Sequence, residues 1–356
     1  MSQSKLRLAI LDDYQGIAVS KFHHLASRVD VASFPDTLHP EVPEERESLI
    51  QRLLPFDVIS TMRERTALPA DVTNALPNLK LVLTTGMKNS AIDMAALSQR
   101  GIPVLGAKGI GLGLSTSGVP TPTSLDSTLQ HTWALILGLA RGVASNDARM
   151  KQGGWEGSFA TGLTGKTLGL LGFGKLGADT AKVGVLAFGM NVVAWSSNLT
   201  QQQADEKARG FGLPEGTFRV AASKEDLLRS ADVLSIHYVL SDRSRNILGA
   251  PELALMKPSA LLVNTSRGPL VNEKSLLSTL EQGKIRGAAI DVYDFEPLPK
   301  DSRWRSVPWG KDGRSEVLLS PHMGYVEEGV MNRWYEDSAA NLGLWLEGKE
   351  VPTKLS

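Results

Sequence analysis

The sequence contains no cysteine among its 356 residues. Disulfides, thiolate metal ligands and a cysteine nucleophile are therefore excluded. An excess of charge of one sign is also missing, because 38 Lys and Arg residues balance 38 Asp and Glu residues. A balanced chain has no electrostatic footprint for nucleic acid or for an anionic membrane surface. We expect no metal, no nucleic-acid partner and no membrane partner, and a cytoplasmic location fits a chain without redox-sensitive thiols.

Long hydrophobic runs are missing too. The most apolar helical stretch, Trp133–Ala140, is far shorter than the roughly 20 residues that a membrane-spanning helix needs. The opening apolar run, Leu6–Leu11, is too short for a signal-peptide core and predicts a β-strand. What remains is a globular composition, 42% hydrophobic and 21% charged, with a length that suits two domains.

Short apolar runs alternate with helix-like stretches along the whole chain. Continuous apolar strands separated by helices predict parallel sheets covered on both faces, so the fold class is α/β with two doubly wound parallel-sheet domains. The predicted strands of the first domain are Leu6–Leu11, Val29–Phe34, Asp57–Ser60, Leu79–Thr84 and Ile102–Leu105. Those of the second are Thr167–Leu171, Asn191–Trp195, Phe218–Ala221, Val233–His237, Leu261–Asn264, Ala288–Asp291 and Val317–Leu319.

The domain boundary is predicted in Gly106–Thr123, which is rich in Gly, Ser, Thr and Pro and has no periodicity. A long helix is predicted from about Ser124 to Met150. The final helix, from about Glu327 to Leu346, follows the last strand of the second domain, so we expect it to return to the first. These features predict a discontinuous substrate domain of residues 1–120 plus 325–356 and a cofactor domain of residues 121–324.

The strand Thr167–Leu171 runs into a glycine-rich turn and then into a helix. Gly172, Gly174 and Gly177 have the G-x-G-x-x-G spacing, in which the glycines permit a tight turn, approach of a pyrophosphate and close helix packing. The helix N-terminus then faces the phosphate charge. Because a strand precedes the turn and a helix follows it, the pattern favours dinucleotide binding over a structural glycine turn. The predicted cofactor residues here are Gly172, Phe173, Gly174, Lys175, Leu176 and Gly177.

The next strand, Asn191–Trp195, ends without the acid that usually binds the adenosine ribose. Ser196, Ser197 and Asn198 stand there instead. Without a carboxylate nothing repels a 2′-phosphate, and hydroxyl and amide groups can bind one, although no arginine stands beside them. We predict NAD(P)H as the cofactor, with NADP(H) preferred over NAD; the alternative is that Ser196 and Asn198 simply begin the following turn.

Three later strands end in residues suited to keto-acid reduction: Arg267, Glu296 and His322. The carboxyl ends of parallel strands line the ligand crevice, so we expect these side chains to converge. The arginine would fix a carboxylate and polarise a carbonyl, and the histidine would donate a proton as hydride arrives. The glutamate would orient the imidazole. Each residue alone has a structural alternative, such as a surface salt bridge, but their joint placement favours catalysis.

In order and spacing these segments resemble the D-isomer-specific 2-hydroxyacid dehydrogenase family. The first domain matches as well, and its opening resembles a phosphoglycerate dehydrogenase-like branch. The resemblance implies a flavodoxin-like catalytic domain, a Rossmann cofactor domain, a homodimer, and hydride transfer between NAD(P)H and a 2-keto acid or D-2-hydroxy acid. The segments that carry it are Gly165–Gly177, Asn264–Gly268, Asp291–Pro299, Ser320–His322, Thr85–Asn89, Gly101–Val104, Leu11–Gln15 and Arg63–Thr66.

The resemblance also implies a role for each site residue. Arg267 would orient the substrate, and Glu296 would pair with His322 as acid/base. Other residues would serve the substrate or the cofactor. On the substrate side, Arg63 would be an anion contact, or else salt-bridged to a neighbouring acid, and amides around Gly86 and Met87 would cradle the carboxylate. On the cofactor side, His237 and Val239 would flank the adenosine. Asp291 would support the active-site loop or lie near the nicotinamide carboxamide. Thr265 is the remaining predicted cofactor-binding residue.

The chain departs from the family at several places. Ser196 replaces the usual acid, and Gln130 stands where relatives carry Glu. The segments Gly109–Pro122 and Trp309–Ser315 are longer than usual, which leaves the substrate open. Two alternatives remain, a nucleotide-sensing corepressor-like binding protein and a formate or phosphite dehydrogenase. Formate enzymes of this family pair their histidine with Gln, so Glu296 counts against that alternative.

Overall fold

The computed structural model describes residues 4–109, 127–157 and 159–356. Contacts along the chain divide it into two units, Met1–Thr121 with Glu327–Ser356, and Pro122–Val326. Most of the predicted boundary segment Gly106–Thr123 and of the long Gly109–Pro122 segment lies outside the described residues.

Within the described ranges the chain forms twelve strands and thirteen α-helices. The strands are β1 (Leu6–Leu11), β2 (Val29–Phe34), β3 (Val58–Thr61), β4 (Leu81–Thr85), β5 (Val104–Ala107), β6 (Thr167–Leu171), β7 (Asn191–Trp195), β8 (Phe218–Val220), β9 (Val233–Ile236), β10 (Leu261–Asn264), β11 (Gly287–Ile290) and β12 (Glu316–Leu319). The helices are α1 (Ala18–Lys21), α2 (Pro43–Leu53), α3 (Ala70–Asn74), α4 (Met94–Gln99), α5 (Ser127–Arg141), α6 (Val143–Lys151), α7 (Lys175–Phe188), α8 (Gln201–Gly210), α9 (Lys224–Ser230), α10 (Ala250–Leu253), α11 (Glu273–Glu281), α12 (Arg303–Ser306) and α13 (Glu328–Leu346).

The first unit contains a five-stranded parallel sheet with the order β2-β1-β3-β4-β5. Every residue of β3, β4 and β5 is buried, which matches their continuous apolar sequences and requires cover on both faces. Leu53, Ile59 and Val82 belong to one hydrophobic cluster of this unit. The strand order reverses between β1 and β3, as in the flavodoxin-like fold.

The final helix α13 belongs to the first unit, where it packs against α1, β4 and β5. Glu327 caps it, because its carboxylate accepts the amides of Gly329 and Val330 at 2.9 and 3.0 Å. The chain then pairs with β5, since the Gly106 amide donates to Thr353 O at 2.9 Å. This pairing covers the edge of the sheet.

The second unit contains a seven-stranded parallel sheet with the order β12-β11-β10-β9-β6-β7-β8. The chain builds β6 to β8 in one direction and then continues from β9 on the other side of β6. In open α/β sheets such a reversal opens a crevice at the carboxyl ends of the strands, and ligands bind there. The crevice lies between β6 and β9.

All twelve predicted strands are present in these parallel sheets, with ends shifted by at most two residues. The long helix predicted from Ser124 to Met150 is wrong in its described part, where α5 and α6 are separate helices. Gly142 lies between them with a φ of 61°, a left-handed conformation that glycine adopts readily and that ends a helix. In the described ranges no helix has both the length and the apolar character to cross a lipid bilayer.

Candidate active site

Six consecutive strands of the seven-stranded sheet lead to predicted site residues at their carboxyl ends. Because the strands are parallel, these ends share one edge of the sheet. In sheet order, β12 leads to His322, β11 to Asp291 and Glu296, β10 to Thr265 and Arg267, β9 to His237 and Val239, β6 to the glycine turn Gly172–Gly177, and β7 to Ser196, Ser197 and Asn198.

The three glycines of the turn have different surroundings, so each position accepts glycine for a different reason. Gly172 has a φ of 99°, and a Cβ there would lie 2.5 Å from the carbonyl oxygen of His237. A Cβ on Gly177 would overlap the carbonyl oxygen of Gly172 at the start of α7. A Cβ on Gly174 would meet no atom within 4 Å, so this position is open. An open glycine before the N-terminus of a 14-residue helix fits a pyrophosphate group.

The predicted adenosine side of the crevice, at the end of β7, carries hydroxyl groups. Ser196 Oγ accepts the amide of Phe173 at 3.2 Å, and Tyr238 Oη donates to Ser197 Oγ at 3.1 Å. Burial of the imidazole lowers the pKa of His237 to about 4, so this ring is neutral at neutral pH. These residues fit a nucleotide, and the sequence at the end of β7 supplies hydroxyl and amide groups in place of a carboxylate.

Glu296 holds His322 by a short hydrogen bond. His322 Nδ1 lies 2.6 Å from Glu296 Oε2, while Glu296 Oε1 accepts the amide of Tyr293 at 2.8 Å. The second bond fixes the carboxylate, so the glutamate aligns the imidazole. The rings of His322 and Tyr325 also pack edge to face, with 5.4 Å between their centroids. His322 has a φ of 56°, which is rare for a residue with a side chain and marks a constrained turn.

Asp291 holds the turn that contains His322 through hydrogen bonds. Its buried carboxylate accepts the amides of Met323 at 2.8 Å and Gly324 at 3.1 Å, and it contacts His131 Nε2 at 3.1 Å. Burial by itself would raise the pKa of Asp291, but hydrogen bonds from His131 and Ser320 outweigh it and hold the pKa below its usual value. Asp291 is therefore charged at neutral pH and holds the loop that carries His322.

His131 is a residue that the sequence reasoning missed. It lies on α5, next to Gln130, and no motif spacing connects α5 with the ends of β11 and β12. Its ring contacts both Asp291 and Ser320 Oγ, the latter at 3.0 Å. Gln130, the predicted departure from the family on this helix, is exposed.

Arg267 lies on a turn with a fixed backbone. Asn264 Nδ2 donates to Arg267 O at 3.0 Å, and Ser266 Oγ donates to Ile236 O at 2.8 Å, which ties the turn to β9. A Cβ on Gly268 would overlap the backbone of Tyr293, so this turn packs tightly on the loop after β11. Thr265 Oγ1 lies 2.9 Å from Thr132 Oγ1 on α5. The turn thus brings Arg267 to the strand end next to that of Glu296.

The residues predicted to contact substrate in the first unit lie at the ends of β3 and β4. Arg63 has a φ of 50°, its amide donates to Thr85 Oγ1 at 2.8 Å, and its guanidinium lies beside Gly86 and 5.8 Å from the ring of Trp334. It also forms an ion pair with Glu64 at 3.7 Å, the alternative considered from the sequence.

The Gly86 amide is already used, because it donates to Ala107 O at 2.8 Å. Of the two amides expected to cradle a carboxylate, that of Met87 is therefore the better candidate. Among the described residues, no group of three or more His, Asp or Glu side chains is placed to hold a metal ion.

A dinucleotide turn in one parallel sheet with Arg, Glu and His at neighbouring strand ends defines a nicotinamide-dependent dehydrogenase. Comparison with known proteins gives the family. Residues 133–324 match the model of the D-isomer-specific 2-hydroxyacid dehydrogenase NAD-binding domain, and the chain belongs to this family. Its reaction is hydride transfer between a nicotinamide cofactor and a 2-keto or 2-hydroxy acid, and the non-catalytic alternative is not favoured.

The relatives include different members of the family. The chain is 33% identical to a glyoxylate reductase of Aeropyrum pernix, over 87% of this chain and 86% of that protein. It is 31% identical to a D-3-phosphoglycerate dehydrogenase of Methanocaldococcus jannaschii, over 78% of this chain but only 48% of that protein. A crystal structure of a phosphoglycerate oxidoreductase from Vibrio cholerae superposes with a TM-score of 0.79 at 32% identity, covering 96% and 99% of the two chains. The recognised family and the predicted fold class are thereby confirmed.

The different surroundings of the glycines lead to a test of the turn. Gly174→Val should leave the midpoint of thermal unfolding almost unchanged, because its Cβ position is open, but should weaken NADPH binding about 10-fold or more by blocking the pyrophosphate. Gly172→Ala, the control, should instead lower the free energy of unfolding by ~1–3 kcal/mol, because of its positive φ and the nearby His237 carbonyl. Thermal unfolding and calorimetric titration measure both effects. Normal NADPH binding by Gly174→Val would mean that the glycine turn is not part of the cofactor site.

Proposed function

We propose that this protein is an NADP(H)-preferring reductase of small 2-keto acids in which His322 is the acid/base. The observation that carries the proposal is the 2.6 Å pair between His322 Nδ1 and Glu296 Oε2, one strand away from Arg267 in the unit that contains the glycine turn. A paired imidazole beside a guanidinium is what proton delivery to a keto acid needs.

The proposed chemistry divides between three side chains. Glu296 contacts Nδ1 of His322, which orients the ring, and its carboxylate stabilises the positive charge of the imidazolium. In this proposal the other ring nitrogen, Nε2, delivers a proton to the carbonyl oxygen. Arg267 binds the substrate carboxylate and polarises the carbonyl through its planar fork. The nicotinamide, when bound, supplies the hydride. In the oxidative direction His322 accepts the proton of the hydroxyl group.

The cofactor preference rests on the end of β7. Ser196 and Ser197 stand at the position where an NAD-binding protein has an acid. That acid would bind the ribose diol of NAD and would repel the 2′-phosphate of NADP. Glyoxylate reductases and a hydroxypyruvate reductase among the relatives support a small substrate. Arg63, paired with Glu64, is already partly neutralised, so we propose a substrate without a phosphate group. We also propose that residues 121–324 form the cofactor domain, that 1–120 with 325–356 form the substrate domain, and that Met87 contributes a carboxylate contact.

The reaction is tested by following oxidation of NADPH and NADH with a panel from glyoxylate and hydroxypyruvate to bulky aromatic keto acids. His322→Gln should lower kcat by roughly 10²–10⁴-fold with little loss of NADPH affinity, because the proton donor is removed while the cofactor side is intact. The exposed His24→Gln is the matched control and should be fully active. Unchanged turnover of His322→Gln would eliminate its acid/base role, and silence of the wild type with every keto acid would contradict the proposed substrate class.

Arg267→Lys tests the guanidinium separately. A lysine keeps the charge but lacks the bidentate fork, so kcat/KM should fall by about 10²-fold or more, with a raised KM for the keto acid and an unchanged Kd for NADPH. Arg229→Lys, at an exposed position of α9, serves as the control. Normal kinetics of Arg267→Lys would refute the polarising role.

We propose a cytoplasmic homodimer joined through the cofactor domain. The second unit carries a cluster of exposed apolar side chains on and after α6, with Met150, Trp155 and Phe159 at 52%, 71% and 94% exposure. Apolar side chains grouped in this way favour burial against another protein surface. Arg141 and Glu156 line the same groove, and a second copy related by twofold symmetry would offer each of them a residue of opposite charge.

The double variant Trp155→Glu/Phe159→Glu should convert the dimer into a monomer, because two charges would be placed in the apolar contact. Size-exclusion chromatography with light scattering measures the mass. Leu186→Glu, at another exposed apolar position on α7, should leave the dimer intact. A double variant that stays dimeric would place the contact elsewhere.

A further inference from the structure

Tyr238 and Ser197 form a link across the glycine turn. They follow β9 and β7, the two strands on either side of β6. Tyr238 Oη donates to Ser197 Oγ at 3.1 Å, and the Ser197 amide lies 3.4 Å from Tyr238 Oη as a second donor. The tyrosine ring stacks on Trp195, with 6.3 Å between centroids and 17° between planes. The link therefore crosses the carboxyl end of β6, where the dinucleotide crevice lies.

The direction of these hydrogen bonds determines what the serines can offer a ligand. Ser197 Oγ accepts from Tyr238, and Ser196 Oγ accepts from the Phe173 amide. A hydroxyl oxygen that accepts one bond keeps its own hydrogen for another partner, so both serines can donate to a ligand. A phosphate needs donors, whereas the diol of an unmodified ribose is best bound by an acceptor such as a carboxylate.

Tyr238 also has a fixed position of its own. Its amide lies next to Gly172, since a Cβ on that glycine would come within 2.8 Å of the Tyr238 nitrogen. The contact with the turn and the stacking on Trp195 hold the tyrosine from two sides, so its hydroxyl meets Ser197 without a large loss of side-chain freedom. The phenol is thus placed to orient the serine.

We propose that Tyr238 is a positioning residue for cofactor choice, which orients the Ser197 hydroxyl as a donor to the 2′-phosphate of NADP(H). The inference rests on the proposed NADP(H) preference and names the side-chain contact that would produce it. A change at Tyr238 would alter cofactor binding at the adenosine end and would leave the proposed catalytic residues Arg267, Glu296 and His322 unchanged.

The experiment is calorimetric titration with NADPH, NADH, adenosine 2′,5′-bisphosphate and adenosine 5′-monophosphate. Tyr238→Phe keeps the ring and its stacking but removes the donor to Ser197. The affinities for NADPH and the bisphosphate should fall about 3- to 10-fold, which is the value of one oriented hydrogen bond, while those for NADH and the monophosphate should change less than twofold. Tyr14→Phe, in the first unit, is the matched control and should change none of the four.

A double-variant comparison separates positioning from a mere structural contact. Ser197→Ala should show the same selective loss, and Tyr238→Phe/Ser197→Ala should show no greater loss than Ser197→Ala alone, because the tyrosine acts through the serine. Ser197 is exposed, so its variant remains folded and keeps the test valid even if Tyr238→Phe is unstable.

Three results would overturn the inference. An equal loss for all four ligands, or no loss, would make the link purely structural. Equal wild-type affinities for NADPH and NADH would overturn the inference and the NADP(H) preference but leave the reductase intact. A wild type that binds neither dinucleotide would refute the proposed function itself.

Discussion

Parallel pairing of the strands is the constraint on which the site of this protein depends. In the seven-stranded sheet β12, β11, β10, β9, β6 and β7 are consecutive and run in one direction, so six loops emerge at a single edge. Residues as distant in sequence as Gly172 and His322 thereby reach the same edge. If one strand were antiparallel, its loop would lie at the opposite edge and its side chain would be lost to the site.

Parallel strands bring the loops together, and buried polar contacts then fix each loop. Asp291 is the clearest case, because it holds the turn after β12 through two backbone amides. The left-handed backbone of His322 costs ~1–3 kcal/mol, which the surrounding hydrogen bonds offset. Glu296 is fixed by an amide in the same way, so the imidazole meets a carboxylate that is already in place. Rigid loops of this kind suit a reaction in which small displacements are costly.

The strands were predictable because each is a short apolar run bounded by polar or turn residues, a pattern that a strand buried on both faces requires. The glycine turn was predictable for a related reason, since the required backbone conformation and close contacts leave glycine as the suitable residue at Gly172 and Gly177. The break at Gly142 was missed because one glycine inside an apolar helical pattern is usually tolerated. Whether it ends a helix depends on its φ, which packing determines.

His131 and Tyr238 show where sequence reasoning ends. Neither belongs to a motif, and each contacts a partner that is far away along the chain, Asp291 for His131 and Ser197 for Tyr238. The sequence by itself determined the strands, the glycine turn and the types of side chain at the strand ends, because these follow from local periodicity and local backbone requirements. The tertiary structure decided which of those side chains touch, which amides are already used, and which partner the Tyr238 hydroxyl meets. These depend on contacts between separate strand ends, and such contacts exist only after the sheet has formed.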